Sequence, residues 1–287
     1  MKRIKHIAVW RALVAATVTL LPVCALAQTS QTSGSGGSTL SQVERAANLF
    51  GRQVQSADNQ KIGKVNNLVV DLESEHILYV ILNSDKGKVA VPPQIFEQNA
   101  GKDLRVKANQ QKIESAPEFT SAFDKPDQLG QASFIDKVYS HFGENAWWKG
   151  SGPANQGAFH NVHKLNQLIG MEVENSSNQP LGKVHNLVID LPTGRVMYVV
   201  LAPDSSLKLG DNLYPLPSDA LTLSSDQKHL VSGIDQQKFA SAPHFEKNKW
   251  PNLTDASFAS QVYQYYGKQA WFGGTGAAGT TLQPTGR

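Results

Sequence analysis

Two aspartates, Asp71 and Asp190, are the first residues whose type could support catalysis, because many hydrolytic mechanisms use a pair of carboxylates. Each ends an apolar run in one of two copies of the same stretch, since Gly63 to Leu82 returns as Gly182 to Leu201. Carboxylates in separate copies are not held at the separation that a two-carboxylate mechanism needs. Hydrogen bonding of each aspartate within its own turn is therefore the favoured interpretation.

A second candidate is the histidine pair His160 and His163, whose spacing could place both rings on one helical face for a metal ion. A zinc site needs three or four ligands, and this polar segment offers no nearby cysteine, aspartate or glutamate, so metal binding is the minor alternative. The sequence also contains no nucleophile elbow, phosphate-binding loop, dinucleotide fingerprint or zinc-protease motif. We therefore expect no enzymatic activity, no cofactor and no metal.

The N-terminus has the features of an export signal over residues 1–27. Basic residues precede an apolar run from Ala12 to Val23, and Ala25-Leu26-Ala27 supplies a small-residue cleavage site. An uncleaved anchor is the alternative, but the run is shorter than the ~20 residues that span a bilayer. Lipidation of Cys24 is a further alternative, disfavoured because Val23 stands where a small residue is needed. We expect a periplasmic protein, with secretion possible, and no transmembrane segment in the mature chain.

Charge and cysteine content narrow the function classes. Residues 1–27 contain four of the 27 basic residues and none of the 24 acidic ones, so the mature chain is almost neutral. That balance lacks the electrostatic footprint of a nucleic-acid binder, and no nucleic-acid partner is expected. The single cysteine leaves with the signal, so stability must come from packing without disulfides.

The repeated stretch is typical of β-structure that must position the residues above. Its second apolar segment, Ile77 to Leu82 in copy 1, is continuous and not alternating, which predicts a strand covered on both faces. Gly63 and its counterpart are interpreted as bend residues, and Asn67 as a bulge or a satisfied buried amide. The turn at Glu73 to Glu75 is predicted to be looser than its Pro- and Gly-containing counterpart.

Helices are predicted outside the repeated strands. Ser41 to Glu44 could form a capping box for a short helix through Phe50. Later in each copy, apolar residues spaced by four predict a short amphipathic helix, with Gly143 or Gly267 as the residue after its end. The apolar positions are Phe134, Val138 and Phe142, and Phe258, Val262 and Tyr266.

Large aromatic residues in and after these helices are the candidate partner-binding residues: Trp147, Trp148, Trp271, Phe272 and Tyr265. Two interpretations are open. The favoured one is that each helix lies over its own barrel and the rings cap it, since aromatic residues usually serve burial. The other is a docking surface on which exposed rings act as anchors.

The repeated signature, with G-K-V-x-N-L-V followed by a turn and a buried Y-V strand, resembles the PRC-barrel family. The whole chain is similar to exported bacterial proteins with tandem PRC-barrel domains. The resemblance implies a mainly β fold of two small PRC-like antiparallel β-barrels in tandem, each followed by a short amphipathic helix. It also implies docking onto another macromolecule, and the family has no shared catalytic residues.

These inferences divide the chain into six parts: a signal peptide (1–27), a disordered leader (28–39), repeat 1 with its helical appendix (40–150), a linker (151–161), repeat 2 with its appendix (162–274) and a flexible tail (275–287). We expect a non-enzymatic periplasmic interaction or scaffold module whose partner is an unknown envelope protein or assembly. The alternative function is binding of a small ligand or cell-wall glycan through the aromatic tail residues.

Overall fold

The computed structural model describes residues 40, 42–97, 102–148, 159, 161–253 and 255–272. The predicted signal peptide, leader and C-terminal tail lie outside these residues, as does His160 with most of the linker. All of the described residues belong to one compact unit, so the two repeats are considered together.

Among the described residues there are fourteen strands and six α-helices. The strands of the first half are β1 (Val43–Arg45), β2 (Gln53–Gln55), β3 (Lys61–Asp71), β4 (His76–Ser84), β5 (Gly87–Val91) and β6 (Leu104–Arg105). Those of the second are β7 (Val162–Lys164), β8 (Glu172–Asn175), β9 (Pro180–Asp190), β10 (Arg195–Pro203), β11 (Asn212–Leu216), β12 (Leu221–Leu223), β13 (Leu230–Ser232) and β14 (Phe245–Glu246). The helices are α1 (Gln110–Glu114), α2 (Pro126–Leu129), α3 (Ala132–Phe142), α4 (Leu165–Leu168), α5 (Gln236–Ala240) and α6 (Ala256–Tyr265).

The mainly β prediction is confirmed, and the long hairpins β3–β4 and β9–β10 are antiparallel. Two short pairs are parallel instead, β2 with β6 and β8 with β13. Among the described strands, the hydrogen-bonded order is an open path, β12-β13-β8-β9-β10-β4-β3-β2-β6, and not two closed rings. The two halves meet in this path at a single residue pair, Arg195 with His76.

Strand β4 is buried on both faces, as its continuous apolar run predicts. Ile77 and Val80 belong to the main core, whereas Tyr79 and Ile81 pack under α3 in a second cluster. Helix α3 itself spans the predicted spacing and ends at Gly143, which takes a left-handed conformation with φ of 73°. The helix therefore lies over its own repeat and supplies the outer cover of the sheet.

The first strand of each copy pairs with the long strand of the other copy. β1 lies antiparallel to β9, and β7 lies antiparallel to β3 in the equivalent register. The predicted capping-box helix at Ser41 to Glu44 is therefore wrong, because Val43–Arg45 is a strand and only a 3-10 turn, Ala46–Leu49, follows. Pairing with β9 satisfies backbone groups that a helix would have satisfied internally.

Equivalent asparagines secure this exchange. Asn186 Oδ1 accepts the backbone N–H of Ala47 at 3.2 Å, and Asn67 Oδ1 accepts that of Asn166 at 3.3 Å. The pairing register shifts beside both asparagines, and both side chains are buried. The bulge and the satisfied buried amide that the sequence predicts are both present at each asparagine. Each amide oxygen accepts one N–H from its own repeat and one from the opposite repeat.

Candidate docking surface at the seam between the repeats

The hairpin turns of the two repeats meet back to back, and we call this junction the seam: Glu75, His76, Arg195, Tyr263, Trp147 and Trp271. Ile77 N–H donates to the carbonyl of Gly194, and Val196 N–H donates to the carbonyl of Glu75, both at 2.8 Å. Glu75 has φ of 59° and Gly194 has φ of 68°, so both turns use the left-handed region. The expectation of a looser first turn is therefore wrong, because Glu75 adopts the conformation that glycine takes in the second copy.

A buried imidazole and a guanidinium face each other across the seam. His76 is 8% exposed, and its Nδ1 lies 2.5 Å from the carbonyl oxygen of Ser74, an atom that can only accept. Nδ1 therefore carries the proton, and Nε2 accepts from Arg195 Nη1 at 3.0 Å. Burial, reinforced by the charge of Arg195, lowers the pKa of His76 to about 3. His76 is consequently neutral at physiological pH.

The carboxylate of Glu75 completes this polar group. Glu75 Oε2 lies 3.4 Å from Arg195 Nη2, and Glu75 Oε1 lies 2.5 Å from the hydroxyl oxygen of Tyr263. That hydroxyl also lies 2.7 Å from the carbonyl oxygen of Met197, yet a phenol has only one proton to donate. Burial raises the pKa of Glu75 above its usual value, and the hydrogen bond from the Tyr263 hydroxyl and the charge of Arg195 oppose that rise.

Two equivalent tryptophans cover the polar group from its two ends. Trp147 stacks on His76 with ring centroids 3.5 Å apart and planes within 8°. The guanidinium carbon of Arg195 lies 4.5 Å from the ring centroid of Trp271, a cation–π contact. The two tryptophans therefore cap equivalent positions of the two hairpins, and both remain partly exposed.

The other candidate aromatic residues have different environments. Trp148 and Phe272 are buried and pack edge-on against Tyr139 and Tyr263 respectively. Tyr265 is half-buried, and its hydroxyl donates to the carbonyl of Lys238 at 2.7 Å. Trp148 and Phe272 therefore belong to the buried clusters, whereas Trp147 and Trp271 lie partly exposed at the seam.

The candidate catalytic and metal residues have structural contacts. Asp71 Oδ2 accepts the N–H of Ser74 within its turn, as predicted, whereas Asp190 Oδ1 accepts the N–H of Gln42 from the other repeat. His163 is buried and hydrogen-bonded to Asn161 at 2.9 Å. Within the described ranges, no group of three or more histidine, cysteine, aspartate or glutamate residues could hold a metal ion.

Sequence reasoning missed the charged part of the seam. Glu75, His76 and Arg195 follow or flank a hairpin turn in each copy, and polar residues there are ordinarily solvent-exposed. The duplication offered a signal for this group. His76 and Arg195 occupy equivalent positions in the two copies, as do Trp147 and Trp271, and residues at equivalent positions can meet at a two-fold junction.

Among the helices of the described residues, none is long and apolar enough to cross a membrane. A comparison with curated proteins found no match. The PRC-barrel domain matches the sequence twice, at residues 41–112 and 160–231, which together make up half of the chain. Each match covers the repeated strands and ends before the amphipathic helix of its copy. The chain therefore belongs to the PRC-barrel family and contains two copies of its domain.

Proposed function

We propose that this protein is a non-enzymatic interaction module that resides in the periplasm and docks onto an envelope protein or assembly. In this proposal it is an exported bacterial member of the family, each repeat is a small PRC-like barrel, and nucleic acid is not a partner. The observation that carries the proposal is the seam. Two partly exposed tryptophans are fixed there on a rigid base of stacked and hydrogen-bonded groups. Rigid aromatic residues make effective anchors because little side-chain entropy is lost on binding.

The contacts made by the candidate catalytic groups support a non-enzymatic role. The carboxylates of Asp71 and Asp190 accept backbone N–H groups that hold a turn and an exchanged strand. The Glu75 carboxyl lies between an arginine and a tyrosine and is only partly accessible. These contacts stabilise the fold, and the proposed function uses the exposed rings above them.

Site-specific photocrosslinking in the envelope would test the docking proposal. A photoreactive phenylalanine analogue at Trp271 should crosslink to one specific envelope protein, whereas the analogue at Gln237, an exposed position on α5, should not. Trp147→Ala should weaken binding of that partner by about 2 kcal/mol, or about thirtyfold in Kd. Thermal melting would establish that each variant is folded. Identical crosslinks at Trp271 and Gln237, or none at either position, would count against the seam as the docking surface.

The alternative function is binding of a small ligand or cell-wall glycan by the tail aromatics. His76 already occupies one face of Trp147, and Arg195 already occupies one face of Trp271. A sugar would therefore have to stack on the remaining face of either ring. Quenching of tryptophan fluorescence by glycan fragments, lost in Trp147→Ala and Trp271→Ala, would favour this alternative over protein docking.

A further inference from the structure

A groove of 560 Å³ lies between β1 and the segment after β14, and its lining contains no residue of the seam. Its walls include Arg45 and Asn48 on one side, and Lys247, Asn248 and Trp250 on the other. The guanidinium carbon of Arg45 lies 5.0 Å from the ring centroid of Trp250, so the cation and the ring are held together. The groove thus joins the N-terminal strand of copy 1 to the appendix of copy 2.

The charge of this groove is positive and not neutralised. Arg45 and Lys247 form no ion pair with any described residue. Glu44, a carboxylate of the lining, is already held by Arg52 at 2.7 Å. The pKa of the neighbouring His185 is lowered by burial and by the charges of Lys247 and Arg45, which shows that both cations act on one region.

Neutral polar groups of the groove are also available to a ligand. The side chains of Asn48 and Asn248 are exposed and make no hydrogen bond within the described chain. An amide can both donate and accept, so it suits ligand hydroxyl and amide groups. Trp250 is half-buried and adds an apolar wall with an indole N–H that has no partner among the described residues.

We propose that this groove binds a small carboxylate ligand that also carries amide or hydroxyl groups. Lys247 and Arg45 pair with the carboxylate, the two asparagines bind the neutral polar groups, and Trp250 packs against the apolar part. N-acetylated amino-sugar acids and acidic peptides share this chemistry. The proposal is independent of the docking function, because the groove and the seam have no residue in common.

The aromatic wall of the groove comes from copy 2 and has no counterpart in copy 1. Lys164 stands at the position equivalent to Arg45, and Asn66 stands at the position equivalent to His185. The segment after the Ala-Pro-x-Phe peptide of copy 1, residues 120–131, contains no tryptophan. Duplication therefore supplied the frame of the groove, and divergence of copy 2 supplied its ring.

Calorimetric titration of the mature chain with three probes tests this proposal: N-acetylmuramic acid, N-acetylglutamate and neutral N-acetylglucosamine. We expect at least one acidic probe to bind, more weakly as salt is added, and the neutral sugar to bind at least tenfold more weakly. Binding of N-acetylmuramic acid alone identifies an amino-sugar acid as the ligand type. Binding of N-acetylglutamate alone identifies an acidic peptide.

Variants assign the binding to the groove. Lys247→Ala should weaken binding about tenfold, since it removes one charge-assisted hydrogen bond. Lys238→Ala, at an exposed lysine on α5, is the matched control and should bind as the parent does. The indole resonance of Trp250, assigned with Trp250→Phe, should shift on titration. The proposal is overturned if neither acid binds, if the neutral sugar binds equally well, or if Lys247→Ala binds like Lys238→Ala.

Discussion

Acidification should weaken the fold through His76, because this imidazole is neutral where it lies. Its Nδ1 donates to a carbonyl, and its Nε2 faces the guanidinium of Arg195 at 3.0 Å, so a second proton would place two cations in contact. The pKa of His76 falls from 6.5 to about 3 in the folded chain. Between these two pKa values the unfolded chain binds a proton that the folded chain does not bind. The contribution of His76 to stability is therefore complete above pH 6.5 and is lost as the pH falls toward 3.

The size of this effect follows from the shift. Each pH unit below the unfolded pKa lowers the free energy of unfolding by about 1.4 kcal/mol for one such group. His76 should therefore lower it by about 2 kcal/mol between pH 7 and pH 5. His163, whose pKa is lowered by burial to about 4, should add a similar loss over the same interval. Glu75 has the opposite sign, since its raised folded pKa favours the folded state as the pH falls through it.

Urea unfolding at pH 7 and pH 5 measures this loss directly. His76→Phe keeps a ring against Trp147 but cannot titrate, so its stability should fall by about 2 kcal/mol less than that of the parent between the two pH values. His229→Gln, at a half-exposed site, provides the comparison for removing a histidine elsewhere. Comparing each variant with itself at two pH values cancels the constant cost of the substitution. Equal pH dependence in the parent and His76→Phe would refute the assigned tautomer and contact.

Three further predictions concern the exchanged strands and the bulges. Residues 40–150 produced alone should not form a stable monomer, because β3 loses its partner β7; a monomer in analytical ultracentrifugation with a cooperative urea transition would contradict the exchange. Asn186→Ala should cost about 2 kcal/mol in urea unfolding, since it leaves two backbone N–H groups without their acceptor; a loss below 0.5 kcal/mol would exclude that role. Gly182→Ala should lower stability by about 3 kcal/mol or more, because its φ is 155° and a Cβ would overlap a backbone carbonyl, while Gly233→Ala, in open space, should melt like the parent.

The repeated core could be predicted in some detail because its determinants are local. The continuous apolar run Ile77 to Leu82 identified a doubly covered strand, and the spacing of Phe134 and Val138 identified the helix that covers it. Gly63 and its counterpart were interpreted as bend residues before a strand, but they lie inside β3 and β9 beside a register shift, with positive φ and a facing carbonyl. These features depend on periodicity and backbone sterics, which a single stretch of sequence contains.

The candidate sites were less accessible to sequence reasoning, because they are assembled from distant segments. Trp147 was recognised as a candidate, but its contact with His76 depends on how the appendix folds back over the hairpin. The groove at Trp250 joins residues about 200 positions apart, by their numbers in the chain, and only one copy contains its ring.

The sequence by itself determined the duplication, the mainly β class and the covering helices, because each is encoded in residue types at fixed spacing. Only the tertiary structure decided that the copies exchange their first strands and that Asn67 and Asn186 each serve the opposite repeat. A three-residue strand contains no sequence pattern that specifies which long strand it pairs with. Long-range packing and backbone hydrogen bonding across the two repeats select between the two long strands.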